Sequence, residues 1–268
     1  MAKASSSTLS AIGSIAAKVP EITIYFWLIK LLTTGMGEVA SDYLFEALNP
    51  IISGPLSVII FIAAMILQFK ARRFVPWVYW LVVVMVSIFG TMAADVVRVG
   101  LGIPYIASTV FFVAALAGIL ITWYVKEGTL SVHSIYTRRR ETFYWLTVLI
   151  TFALGTAAGD MTADSMHLGY LPSGLLFAGV LAIPAIGFFW FGLKEITAFW
   201  FAYIMTRPVG ASFADWLSAS HTSGGLGISK GEVSLVLTVL IIILVAFRGG
   251  TAVKVTEPEP ELAQVQQA

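Results

Sequence analysis

Four aspartates recur in this chain at one register. Asp42, Asp95, Asp160 and Asp215 each lie fifteen residues after a tryptophan, Trp27, Trp80, Trp145 and Trp200. Four residues before each aspartate stand Glu38, Thr91, Thr156 and Ala211, a spacing that places them on the same helix face, one turn deeper. Four residues after it, copies one and three carry a further acid, Glu46 and Asp164, where copies two and four have Val99 and Ala219, so a two-fold relation overlies the four-fold one. Carboxylates gathered at one depth can hold protons, because like charges disfavour joint ionisation, or can coordinate hard cations through oxygen. The candidate cation ligands are therefore Glu38, Asp42, Asp95, Asp160, Asp164 and Asp215.

The charge balance around them is lopsided. Glu38, Asp42, Glu46, Asp95, Asp160, Asp164 and Asp215 face Arg98 alone, seven acids against one base, so all of them cannot be paired. Two basic residues fall deeper in the pattern. Arg207 precedes Pro208, whose missing N–H kinks a helix and frees a carbonyl, and is expected to be either a fixed counter-charge to one aspartate or a group that moves during transport. Lys30, three residues after Trp27, is expected to snorkel to the interface in a structural role. His167, three residues after Asp164, has a spacing that permits a shared metal, although a loop histidine is more often simply solvated. There is no cysteine, which excludes disulfides and thiolate metal sites, and no Walker loop, dinucleotide fingerprint, nucleophile elbow or His-Glu-x-x-His motif. No cofactor, no nucleic-acid partner and no enzymatic activity are expected.

The elements that must carry these residues are membrane helices. The sequence is 58% hydrophobic and only 12% charged, and its apolar residues come in long runs. The runs 21–43, 55–69, 74–97, 103–125, 142–163, 171–191, 195–217 and 231–247 meet or approach the ~20 residues a spanning helix needs, the short run 55–69 being extendable over 53–68. The predicted architecture is an all-α integral membrane protein of eight transmembrane helices, in four parallel helical-hairpin repeats with pseudo-symmetry along the membrane normal. The repeats are placed at 19–70, 71–126, 127–192 and 193–248, flanked by a cytoplasmic segment 1–18 without a signal peptide and a tail 249–268 too polar to order itself.

The repeat is specific at further positions. Each tryptophan follows an aromatic residue, Phe26, Tyr79, Tyr144 or Phe199, and precedes a glycine by ten residues: Gly37, Gly90, Gly155 or Gly210. Four residues beyond each glycine is a small residue, Ser41, Ala94, Gly159 or Ala214, which is the close-packing pattern of membrane helices. The first helices should thus cluster together, with the second helices toward lipid and the tryptophans anchoring the interface. This pattern, with its Gly155-Thr156-Ala157-Ala158-Gly159-Asp160 phrase, resembles an uncharacterised bacterial membrane-anchored protein family of four tandem repeats of unknown function. The resemblance implies two spans per repeat, and it implies no activity.

Charge places the chain in its membrane. Lys70, Arg72, Arg73, Lys126, Arg138, Arg139, Arg140 and Lys194 fall on one side with the basic residues of the termini, and only Arg98 and Lys230 on the other. The positive-inside rule then puts both termini in the cytoplasm of a bacterium, with the protein multi-pass in its inner membrane. If the acids face a shared hydrated centre, as intramembrane carboxylates normally do, the expected activity is secondary transport of a hard cation such as Mn²⁺, coupled to protons. A binding, sensory or scaffold module with structural Gly and Asp residues is the alternative, and a carrier of an organic cation or small polar solute a third. The bilayer and a small cation or proton are the expected partners; the oligomeric state is open.

Overall fold

The computed structural model describes residues 18–250, all-helical in architecture. The segments 1–17 and 251–268, and with them Lys3, Lys254 and the expected disordered tail, lie outside the described residues. Eight long helices follow one another: α1 Ile24–Leu48, α2 Pro50–Lys70, α3 Pro76–Asp95, α4 Tyr105–Glu127, α5 Arg138–Asp160, α6 Tyr170–Phe191, α7 Glu195–Ser218 and α8 Lys230–Arg248. The first helix is longer than its apolar run, and α2 takes up the expected extension.

Local chemistry sets the ends. Thr23 caps α1 by accepting from the Phe26 amide, and Thr137 caps α5 by accepting from the Arg140 amide. Between α1 and α2 a single residue reverses the chain: Asn49, at φ 59°, accepts the Ile51 amide on its side chain while Pro50 starts the next helix. Gly128 and Gly192, at φ 72° and 68°, close α4 and α6 in the left-handed conformation that favours glycine. Immediately beyond Asp95 and Asp160 the helix widens into a π turn, Val96–Gly100 and Met161–Ser165, a deformation frequent at functional sites.

The odd-numbered helices form a closed inner ring, α1 against α3, α3 against α5, α5 against α7, and α7 back against α1. The even-numbered helices lie outside it, with apolar side chains such as Ile51, Phe111, Phe189 and Phe247 exposed, a surface that suits lipid and not water. The two helices of one repeat, however, are not a packed pair. Each outer helix packs chiefly on the inner helix of the next repeat: α2 on α3, α4 on α5, α6 on α7, and α8 on α1. Every repeat is thereby incomplete alone, and the fourth closes on the first.

Six of the eight helices are long and apolar enough to cross a membrane, by length and composition. The two others, α1 and α7, are inner helices that carry buried charges within the ring, Lys30 and Glu38 on one and Arg207 on the other. They complete the ring beside helices that qualify alone.

The repeated glycines seat each inner helix on the next. A Cβ at Gly37 would lie 1.8 Å from Ser87 Oγ, at Gly90 2.6 Å from Phe152 Cβ, at Gly155 2.2 Å from Arg207 Cγ, and at Gly210 1.8 Å from Thr34 Oγ1. The residue met is always the one three before the glycine of the following repeat, so the same contact runs around the ring four times. Gly159 is looser, 3.6 Å from Ser212 Oγ.

The tryptophans differ from the interface anchors expected of them. Trp80, Trp145 and Trp200 are buried with Phe26, Tyr79, Tyr144 and Phe199 in an aromatic layer across one end of the ring. Trp80 Nε1 donates to the Gly249 carbonyl and Trp200 Nε1 to the Leu130 carbonyl, in each case tying down the chain just past an outer helix. At the same end the Lys18 ammonium reaches the buried Glu141 carboxylate at 2.6 Å, and Gln68 donates to its other oxygen.

Overpacking at a glycine contact should therefore destabilise the ring. Gly90→Ala is expected to cost ~1–3 kcal/mol, read as a lowered unfolding temperature in detergent, whereas Gly179→Ala, with open space where its Cβ would lie, should leave that temperature unchanged or slightly raised.

Candidate functional site

From the third residue after each tryptophan, every fourth residue of an inner helix turns to the ring axis, so the axis is a stack of four-residue layers. Three residues on are Lys30, Val83, Val148 and Tyr203; seven on, Thr34, Ser87, Phe152 and Arg207; eleven on, Glu38, Thr91, Thr156 and Ala211. All twelve are buried. The fifteenth-residue layer, Asp42, Asp95, Asp160 and Asp215, is half-buried at the opposite end from the aromatic layer.

Arg207 is the centre of the stack, with 0% of its surface exposed. Its Nη2 donates to Glu38 Oε2 at 2.5 Å, to Thr156 Oγ1 at 2.7 Å and to Thr91 Oγ1, and its Nη1 to the Thr34 carbonyl at 3.0 Å. The fourth repeat has only Ala211 in the eleventh-residue layer, and the guanidinium from one turn below fills the space that this alanine leaves. Thr91 and Thr156 also donate to Glu38 Oε2, at 3.1 and 3.2 Å. One oxygen of Glu38 is thus fully engaged, while Oε1 takes no hydrogen bond among the described residues. Arg207 is a counter-charge whose partner is the glutamate Glu38 and not one of the aspartates.

Above this pair the acids converge in part. Oxygens of Glu38, Asp160 and Asp215 lie within 4.8 Å of one another. Two oxygens on opposite sides of a hard cation are ~4–5 Å apart at the bond lengths such ions adopt, so three at this separation can bind one ion together. The three come from repeats one, three and four. Among the described residues, Asp95, Asp160 and Asp215 have neither an ion pair nor a side-chain hydrogen bond.

The remaining candidates are placed otherwise. Asp42 pairs with Lys230 at 2.9 Å, and Glu46 with the same ammonium at 2.6 Å. Asp95 shares the layer but falls outside the converging group. Asp164 lies one turn beyond, accepts from the Tyr105 hydroxyl at 2.7 Å and is outside the converging group. The expectation of seven acids facing Arg98 alone is corrected: Arg207 neutralises Glu38 from below, and Lys230, first residue of α8, folds back over α1 because α8 packs there. Arg98 instead stacks on the Tyr105 ring, 3.8 Å from its centroid.

Lys30 also departs from expectation. It does not snorkel; it is 1% exposed, with its ammonium between the rings of Phe152 and Tyr203, 4.3 and 4.2 Å from their centroids, and donates to Thr206 Oγ1. Aromatic faces on two sides take the place of water. Below it Tyr79 and Tyr144 join hydroxyl to hydroxyl at 2.5 Å. The axis is accordingly sealed by packed side chains from the aromatic layer up to Glu38, and the acidic cluster lies at the other end only. Both axial cations stood out in the sequence as basic residues deep in the pattern, but their partners did not; the available signal for Arg207 was Ala211, the one position in its layer without a polar side chain.

Breaking the central pair leaves an uncompensated buried charge, which costs ~3–5 kcal/mol. Glu38→Gln and Arg207→Met are each expected to lower the unfolding temperature strongly, and the double variant less than their sum, as a double-mutant cycle of thermal unfolding would measure.

The chain matches the Repeat of Unknown Function (DUF347) four times, over residues 25–74, 78–129, 143–193 and 198–249, each match spanning one inner and one outer helix. No curated protein and no solved structure matches it. Four consecutive matches over most of its length, with the same aromatic pair, glycine and aspartate in each, identify the chain as a member of the DUF347 repeat family.

Proposed function

We propose that the protein is a secondary transporter of a hard cation, a divalent metal such as Mn²⁺, coupled to protons, and that Glu38, Asp160 and Asp215 are the carboxylates that bind it. The observation that carries this reading is the approach of these three side chains to within 4.8 Å, from three different repeats, with no base among the described residues paired to either aspartate. Arg207 neutralises one charge of the cluster through Glu38. The rest is left for a cation or for protons, which can substitute for one another on the same oxygens, and that exchange is what coupling requires. Oxygen-only ligands favour a hard ion over a soft one.

The axis favours a carrier over a channel. A cation leaving the cluster along the ring axis would meet the fixed charges of Arg207 and Lys30 and then the tyrosine and tryptophan layer. Passage needs rearrangement of helices against each other, and the ring has interfaces that could rearrange, since each outer helix rides on a neighbouring repeat. The basic residues Lys70, Arg72, Arg73, Lys126, Arg138, Arg139, Arg140 and Lys194 cluster at the tryptophan end, which supports a bacterial inner-membrane orientation with that end and both termini in the cytoplasm and the acids facing outward.

A second reading has its own support. The glycine contacts lock the four inner helices against one another, as a non-transporting binding or scaffold module would need.

Proteoliposomes decide between them. A pH gradient should drive Mn²⁺ flux by the unaltered protein, and Asp160→Asn with Asp215→Asn should lower it by about an order of magnitude or more, since ligand charge sets hard-cation affinity. Absence of ion- or proton-dependent flux in the unaltered protein, with the aspartate variants altering only thermal stability, would establish the scaffold reading instead.

A further inference from the structure

The four ring aspartates are equivalent by sequence and unequal in the fold, and for the two-fold mates Asp42 and Asp160 the covering outer helix brings different residues, Lys230 and Tyr105. Resting on the cation-site reading above, we propose that Lys230 is a tethered cation that holds Asp42 out of the site, and that a metal ion entering the cluster draws Asp42 from Lys230 as a further ligand.

The two-fold relation in the ring supplies an internal comparison. α8 packs on α1 as α4 packs on α5. The first residue of α8 is Lys230 and that of α4 is Tyr105. Each contacts the acid four residues beyond the ring aspartate of the helix it covers: Lys230 pairs with Glu46 at 2.6 Å, and the Tyr105 hydroxyl donates to Asp164 at 2.7 Å. Where this residue is the neutral tyrosine, the ring aspartate Asp160 is without an ion pair and belongs to the converging trio. Where it is the lysine, the ammonium also takes the ring aspartate, Asp42 Oδ2 at 2.9 Å, and Asp42 is missing from the trio. Asp42 lies one turn from Glu38 on the same helix face, so its carboxylate is within a side-chain movement of the cluster.

The pair is suited to exchange. Lys230 and Asp42 have side chains 27% and 32% exposed and Glu46 63%, so solvent reaches the group and screens its attractions in part. When Asp42 leaves, Glu46 still holds the ammonium, so no charge is stranded. Lys230 also follows a segment in which Gly224 and Gly227 adopt positive φ, at a helix end and not in the packed interior.

The test copies the two-fold mate. In detergent-purified full-length protein, Lys230→Tyr keeps a hydroxyl for Glu46 and removes the competing charge; it should tighten Mn²⁺ binding about fivefold by calorimetry, the scale of an exposed ion pair. Adding Asp42→Asn should abolish that gain. A gain that survives Asp42→Asn, or no gain, overturns the proposal. The unaltered protein offers a second measurement that no substitution can confound: acylation of Lys230 by an amine-reactive reagent, followed by mass spectrometry, should quicken at saturating Mn²⁺, and an unchanged or slower rate overturns it. If the unaltered protein binds Mn²⁺ and Lys230→Tyr changes nothing, this inference alone fails; if the unaltered protein binds none, the cation-site reading fails and takes this inference with it.

Discussion

The ion pair between Arg207 and Glu38 is the constraint around which the interior is arranged. A charge enclosed in an apolar ring is tolerable only when paired and hydrogen-bonded, and here the guanidinium gathers a glutamate and a carbonyl from α1, a threonine from α3 and a threonine from α5. All four inner helices thus meet at one side chain. The neighbouring sequence is adjusted to it. Gly155 is a glycine where Arg207 passes, since a Cβ there would lie 2.2 Å from Arg207 Cγ and 3.1 Å from Pro208 Cδ. Ala211 is small where the guanidinium rises into the layer above.

Around that pin, closure of the ring follows from the displacement of the outer helices. A hairpin whose helices packed on each other would make four independent units joined by loops. Here each outer helix covers the next repeat's inner helix instead, and α8 covers α1, so no interface can be made without its neighbour. The glycine contacts have the same cyclic order. Close approach of backbones, and not hydrophobic exclusion, drives helix association in a lipid environment, which is why the glycine recurs at one position in all four repeats while the aliphatic residues around it vary.

The same packing that seals the axis leaves the acids at one end with more charge than the fold consumes. Arg207 and Lys30 occupy the axis below them, and the repeats differ above them in the residue that begins the covering helix, Pro50, Tyr105, Tyr170 or Lys230. Near-identical repeats have in this way produced an asymmetric site: three carboxylates converge, one is held by an ammonium, and one is held by a phenol outside the ring. Pseudo-symmetry supplies the scaffold, and its breaking makes the acids unequal.

The repeat, the helix count and the common depth of the aspartates were all present in the sequence, because they depend on periodicity along the chain: apolar runs of spanning length, and a tryptophan, glycine and aspartate at fixed intervals on one helix face. The pairing of charges was not. Arg207 meeting Glu38, Lys230 meeting Asp42 and Lys30 entering between two aromatic rings all join residues more than a hundred positions apart. They arise from which helix lies beside which, and the displacement of each outer helix onto the next repeat is invisible to any interval counted along the chain. Spacing determined which side chains share a layer; only the closing of the ring decided which of them touch.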